Sequence, residues 1–137
     1  MNPCASLLVV LLGSCCSAAA HDLSLQQLVA QAQNYDGKRV SVTGYYVSAN
    51  EESCLYATRE VAKKIWRDPR ADLQQVLWID FHGIRDARPA VNRYVRFVGT
   101  FHHKKRFTDE MMREGRGYGQ FNMFPSKLDV TSFTILR

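Results

Sequence analysis

Between residues 24 and 33 the apolar side chains recur at helical spacing. Leu25, Leu28, Val29 and Ala32 fall at i, i+3, i+4 and i+7, one face of a 3.6-residue period. Ser24 and Gln27 have the spacing of a capping box, and Leu23 and Leu28 stand where a hydrophobic staple closes the first turn. Asn34 and then Asp36-Gly37 supply turn chemistry that ends the helix. From Arg39 to Val47 the period drops to two, with Val40, Val42, Gly44 and Tyr46 on one face and Ser41, Thr43 and Tyr45 on the other. That alternation predicts a half-buried strand. A polar turn at residues 50–53 precedes a short second strand, Cys54–Ala57. Thr58 then caps a predicted helix with Val61, Ala62, Ile65 and Trp66 on one stripe, stopped by Asp68-Pro69. Gln75–Phe81 is apolar on both faces, as a central strand is, and Tyr94–His102 alternates again. Thr108 caps a short helix that Gly115 ends, with Asp109 and Glu110 in its first turn. The glycine-rich run 115–119 reads as a flexible entry to the last strands, Gly119–Phe124 and Lys127–Leu136.

Two of these strands match each other. Aligning RVSVTGYYV with YVRFVGTFH sets Val40 on Val95, Val42 on Phe97, Gly44 on Gly99 and Tyr46 on Phe101. A glycine inside a strand weakens it unless it marks a bulge or a sharp bend. Two at equivalent places predict strands that coil hard, as closing a small barrel requires. These motifs, with Leu55-Tyr56 and the Trp78-Ile79-Asp80 strand, resemble small exported bacterial proteins with an OB-fold. The likeness spans residues 35–136 and rests on glycines and alternating apolar positions. It implies a mainly β chain with flanking helices: a five-stranded OB-like Greek-key barrel, with the N-terminal helix packed outside it. It also implies an oligomeric or peptide ligand held across barrel strands two and three and the neighbouring loops. The helix predicted after Thr58 falls between those two strands, whereas the commonest arrangement has its helix between strands three and four.

The first twenty residues read as an address. They carry no charged side chain, so all 18 basic and 13 acidic residues lie in the other 117 (137 − 20). The apolar run Ala5–Gly13 is too short to span a bilayer but fits the core of a signal peptide. Ala18-Ala19-Ala20 offers a cleavage site that leaves His21 first and residues 21–137 as a single OB-like domain. Alternatively, Leu12-Gly13-Ser14-Cys15 resembles a lipobox, with lipidation of Cys15 as the only membrane attachment. The predicted localisation is periplasmic, or lipid-anchored in the cell envelope. Cleavage after Ala20 leaves Cys54 as the single cysteine, so a disulfide framework is not expected. Cys54 has no cationic neighbour in sequence to activate it and reads as a small core residue.

The basic excess, formally +5 at neutral pH, concentrates in three places. One is Arg59–Arg70, another Arg85–Arg96, and the sharpest is His102-His103-Lys104-Lys105-Arg106 at the exit of the fourth barrel strand. This run is the candidate contact with an anionic partner, joined by Tyr45 and Arg96, which alternate away from the core-facing positions of their strands. Asp80-x-His82 with His102-His103 is the sole metal-ligand combination in view. It lacks any familiar ligand spacing, and adjacent histidines on a strand point to opposite faces, so neither metal nor cofactor is expected. No serine, threonine or cysteine stands in a nucleophile motif. Glu51-Glu52 and Asp109-Glu110 read as exposed pairs. The expectation is therefore an exported, non-enzymatic binding module for a protein or an anionic polymer. The competing one is an OB-fold protein that binds single-stranded nucleic acid or cleaves it, with Asp80 and Arg96 as the residues to watch.

Overall fold

A computed structural model of the chain describes residues 20–49 and 51–137. The apolar leader and Cys15 lie outside them. Six strands form: β1 (His21–Ser24), β2 (Arg39–Ala49), β3 (Glu52–Tyr56), β4 (Val76–Phe81), β5 (Arg93–His103) and β6 (Ser126–Ile135). β2 pairs antiparallel with β3 and β5, β3 with β4, and β5 with β6, while β4 and β6 run parallel. The β2–β5 ladder closes five strands into a barrel in the order β2-β3-β4-β6-β5, the Greek-key arrangement of an OB-like fold. Alternation does the sorting. Val40, Val42, Tyr46, Leu55, Leu77, Ile79, Phe97, Phe101, Leu128 and Val130 share one buried core.

The two matched glycines act at the ladders. β2 and β5 are antiparallel partners, so Val40 faces Gly99 and Gly44 faces Val95. Gly99 sits where the register between β5 and β6 shifts, and a Cβ there would collide with the Asp129 carbonyl oxygen. Gly44 is the position where the neighbour of β2 changes from β1, paired through Thr43, to β3, paired from Tyr45. A Cβ at Gly44 would stand 2.5 Å from the Tyr56 carbonyl oxygen.

Among the described residues four α-helices join the strands: α1 (Leu25–Ala30), α2 (Ala32–Tyr35), α3 (Arg59–Ile65) and α4 (Asp109–Arg113). The capping box forms in full. The Gln27 amide donates to Ser24 Oγ at 3.1 Å, and the Ser24 amide donates to Gln27 Oε1 at 3.0 Å. The helix expected over 24–33 breaks at Gln31 into α1 and α2. It also does more than lie against the barrel. Leu25 and Leu28 are fully buried within the barrel's own core cluster, and Val29 borders a cleft with Val76, His103 and Ser126, which terminate three strands. α1 therefore plugs one end of the barrel, and each buried leucine contributes about 2 kcal/mol. A 3-10 turn, Arg88–Ala90, places the buried Ala90 at the Tyr46 end, where the Asn92 amide donates to the Tyr46 carbonyl at 2.8 Å.

One strand is unexpected, and three expectations are corrected. β1 runs parallel to the first half of β2, although His-Asp-Leu-Ser carries no strand pattern. Residues 119–124 form no strand. A single bridge between Tyr118 and Phe124 pinches them into a loop whose tip is the 3-10 turn Gln120–Asn122. The glycine run before it is packed and not a loose entry: a Cβ at Gly117 would strike the Asn122 carbonyl oxygen. Finally, Trp66 leaves the apolar stripe of α3. The helix ends at Ile65, so only Ala62 and Ile65 are fully buried and Trp66 stays 47% exposed.

Candidate binding site

Apolar residues on both faces of β3 and β4 produce two cores. The second lies outside the barrel, where Cys54, Tyr56, Val76 and Trp78 pack under Ala62 and Ile65 of α3 and under Phe124. Helix and loop thus cover the surface that an OB-like barrel ordinarily leaves open across these strands. A gap remains between the end of α3 and the 118–124 loop. It is a pocket of about 260 Å³ lined by Trp66, Trp78, Phe121, Met123 and Phe124, with Glu52, Arg67, Asp68 and Gln120 as its polar groups.

Each wall has a local cause. The Thr58 side chain accepts from the Val61 amide and starts α3, whose end delivers Trp66 and Arg67 to the rim. The Arg67 guanidinium lies 5.0 Å from the centre of the Trp66 ring, a cation–π contact. The floor is Trp78, whose ring stands 5.4 Å from Phe124. Gly119 presses its backbone on the Trp78 ring at φ +70°, and a Cβ there would overlap the indole. The bridge that pinches the loop has two bonds: the Tyr118 amide donates to the Phe124 carbonyl at 2.8 Å, and the reverse bond is 3.1 Å. Inside it, Phe121 and Asn122 both adopt the left-handed region, at φ +54° and +55°. For a bulky residue such as Phe121 this conformation is strained, costing on the order of 1–3 kcal/mol. In that conformation, imposed by the bridge and by Gly119 on the indole, the most exposed large apolar side chain among the described residues, 74% accessible, stands at the mouth of the pocket.

Glu52 departs from the expected exposed pair. It is half-buried and accepts a hydrogen bond from the Tyr56 hydroxyl, and burial pushes its carboxyl above the ordinary range even though that bond pulls the other way. Burial likewise pushes the Cys54 thiol well up, in keeping with an inert core cysteine. Replacing Gly119 by alanine is expected to cost about 2–3 kcal/mol and to shift the emission of Trp78. Wild-type stability with unchanged emission would mean that the loop does not rest on the indole.

The pocket floor continues into a charged row on the outer face of β4, β6 and β5. Trp78 Nε1 donates to Asp80 Oδ1 at 2.9 Å, and Lys127 Nζ donates to Asp80 Oδ2 at 3.1 Å. Lys127 Nζ also lies 2.8 Å from Asp129 Oδ1 and over the Tyr118 ring. Two imidazoles meet the same carboxylate: His82 Nε2 at 3.2 Å from Oδ1 and His102 Nε2 at 3.0 Å from Oδ2. Oδ1 is buried and held by charge more than by well-aligned hydrogen bonds. Burial raises the Asp129 carboxyl, and Lys127 with the two histidines overrides it, so the group sits below the usual carboxylate range. Lys127 is held above its usual value, since its two carboxylates outweigh the effect of burial.

The residues singled out from sequence divide between places. His102 joins the charged row, while His103 turns to the other side, shares a hydrogen bond with Ser126 Oγ at 2.8 Å and is held below its usual value by burial, despite Asp36. Lys104 stands over the Tyr118 ring at 5.1 Å, and Lys105 and Arg106 are exposed in the turn that follows. Tyr45 and Arg96 stand apart from the row, and Tyr45 packs against the second core that floors the pocket. Tyr45 packs edge-on against Tyr94, and Arg96 reaches Asp22 of β1 at 3.9 Å. Asp80, His82 and His102 do share one face, but Lys127 occupies the space between the carboxylates. Among the described residues no three such side chains are placed to hold a metal ion. Sequence reasoning missed the pocket itself. The signals were present in Trp66 at a helix stop and in the aromatic run Phe121–Phe124.

The fold is similar to that of a DUF3299 family protein from Pseudomonas aeruginosa PAO1. The two share 9% identity at a TM-score of 0.51, over 87% of this chain and 97% of that one. At that identity the likeness shows the fold alone. Neither a protein-family model nor a curated protein matches the sequence.

Proposed function

We propose that this chain is a non-enzymatic binding module, exported to the bacterial cell envelope, that takes its partner in the aromatic pocket beside β3 and β4. The observation that carries the reading is Phe121: exposed, on strained backbone, at the rim of a pocket with a second exposed ring, Trp66. Exposed aromatics without apolar cover are characteristic of recognition surfaces. The Lys104–Arg106 run begins the same β5–β6 excursion whose far end forms the pocket rim, which supports reading it as an auxiliary contact for anionic groups of the partner. The competing reading, a nuclease-like protein, finds less support. Asp80 is engaged by Trp78 and Lys127. Arg96 lies four positions along β5 from Thr100, the residue opposite Asp129.

Binding to isolated cell-envelope material tests this. Combining Trp66→Ala with Phe121→Ala is expected to weaken retention by about tenfold or more. Changing Lys104, Lys105 and Arg106 to Gln is expected to remove only a salt-sensitive fraction. A loss confined to the basic triple would overturn the pocket reading. Single-stranded nucleic acid incubated with divalent metal should stay intact, and cleavage that disappears in Asp80→Asn would establish the competing one. For export, the intact mass should place the mature terminus at His21 or at a diacylated Cys15. Full-length chain beginning at Met1 in the envelope fraction would refute it.

A further inference from the structure

We infer that the occupant of the aromatic pocket is a neutral saccharide unit of a glycan, an inference that rests on the pocket being the binding site. Three features of the lining narrow the chemistry. Charge comes first. Among the described residues, the ionisable side chains that line the pocket are Glu52, Asp68 and Arg67, so a phosphate or sulfate there would face two of these as carboxylates. Stacked nucleotides and acidic peptides are disfavoured on that ground, although the chain as a whole is basic.

The second feature is the mixture of surfaces. Trp66 and Phe121 are exposed aromatic rings at the rim, and Trp78 closes the floor. Between them stand two carboxylates, a guanidinium and the Gln120 amide, all planar groups that accept or donate two hydrogen bonds side by side. A purely apolar ligand, such as a lipid tail or a leucine side chain, would cover the Asp68 carboxylate and the Gln120 amide without offering either a partner, at about 1–3 kcal/mol for each. A pyranose matches both surfaces: its C–H face lies on an aromatic ring, and its vicinal hydroxyls reach the planar polar groups. Glu52 fits the same chemistry. Its carboxyl is pushed up by burial and already takes the Tyr56 proton donor, which leaves its other oxygen for a hydroxyl.

Size is the third. A space of about 260 Å³ falls just under the roughly 300–1,000 Å³ usual for small-molecule sites. It therefore seats one ring, with the remaining units of a chain running across Phe121 into solvent. This lies at the strands where OB-like barrels hold oligomers, but α3 and the 118–124 loop reduce the open groove to a single-ring slot.

The chain holds two tryptophans, and both line this pocket, so intrinsic fluorescence reports its occupancy directly. Titration of the full protein with chitotriose, cellotriose and maltotriose is expected to give a saturable change with at least one of them. Phe121→Ala should weaken that binding by about tenfold or more, and Asp68→Asn by less. Phe121 is exposed, so its removal should leave the melting temperature in place, and a far-UV thermal scan of the variant checks this. An N-acetylated, amidated Leu-Phe-Leu tripeptide and a dT10 oligonucleotide are titrated in parallel. Saturation by the tripeptide alone overturns the saccharide inference and leaves the pocket reading standing. Saturation by the oligonucleotide alone overturns the saccharide inference and replaces the envelope module with the competing nucleic-acid reading, and no saturable change with any probe at millimolar concentration overturns the saccharide inference.

Discussion

A chain carrying Gly99→Val is expected to lose about 4 kcal/mol or more, a large part of the roughly 5–15 kcal/mol that stabilises a domain. The cause is a single atom. A Cβ built on Gly99 collides with the Asp129 carbonyl oxygen, and it stands 2.7 Å from the Asp129 carbonyl carbon and 2.9 Å from Val130 Cα. All three are backbone, so no side chain can rotate away. The collision falls where the β5–β6 register shifts, one of the ladders that close the barrel. Alanine at position 99 should therefore be nearly as damaging as valine, since both place the same Cβ. Were strand propensity the issue, valine would be the better tolerated of the two. Gly44→Val should cost less, about 2–3 kcal/mol, because two of the three atoms it meets belong to the Leu55 side chain. Urea unfolding of the three variants followed by far-UV circular dichroism measures the series. A Gly99→Ala protein within 1 kcal/mol of wild type would remove the steric account of the closed barrel.

That glycine shows which parts of the molecule were legible in the sequence. A barrel interior is written locally, because alternation assigns each strand residue to a face without reference to its partners. Val40, Val42, Tyr46, Phe97 and Phe101 were assignable in this way, and so was the capping box of α1. The meaning of Gly99 was legible only as a bend. Its collision partner, Asp129, lies thirty residues away and is brought near by the register of β5 on β6. The outer surface was less readable for the same reason. β1 is held by its place beside β2 and not by its own pattern. The pocket gathers residues 52, 66–68, 78, 120, 121, 123 and 124 from four segments, and the last segment is brought into place by the Tyr118–Phe124 bridge, Gly119 against Trp78 and the left-handed Phe121. His82 and His102 could be seen as candidates. Their meeting at one carboxylate depends on two ladders: the parallel β4–β6 pairing sets Asp80 beside Asp129, and the antiparallel β5–β6 pairing brings His102 alongside.

Removal of the Lys127 ammonium should give the second large effect. Lys127 and Asp129 are each one-fifth exposed, and the ammonium lies between Asp129 and Asp80. Lys127→Met keeps the length and apolar stem of the side chain but leaves Asp129 with only the two imidazoles. Breaking a fully buried pair costs about 3–5 kcal/mol. Partial exposure reduces that, and a loss of about 2 kcal/mol, or roughly 8 °C in melting temperature, is expected at pH 7. The dependence on pH separates this from a packing defect. The Asp129 carboxyl is depressed in the folded state, so its stabilisation is present above the unfolded value near pH 4 and lost as pH falls through the lower folded value. The Lys127 value is raised, so its share is present below the unfolded value near pH 10.4 and lost as pH climbs through the higher folded one. From about pH 5 up to the lysine limit the wild type should exceed the variant by the full amount. In the variant the burial that pushes Asp129 upward is no longer opposed by the ammonium, so its carboxyl takes up a proton at higher pH than before. The gap between the two proteins should then narrow steadily from pH 5 to pH 3, and thermal melts across that interval measure it. Adding Asp129→Asn to Lys127→Met should recover part of the loss at pH 7, because the unpaired charge is gone. A deficit that stays constant from pH 3 to pH 7, or that the second substitution deepens, would mean that Lys127 acts through its packing on Tyr118 and not through the carboxylates.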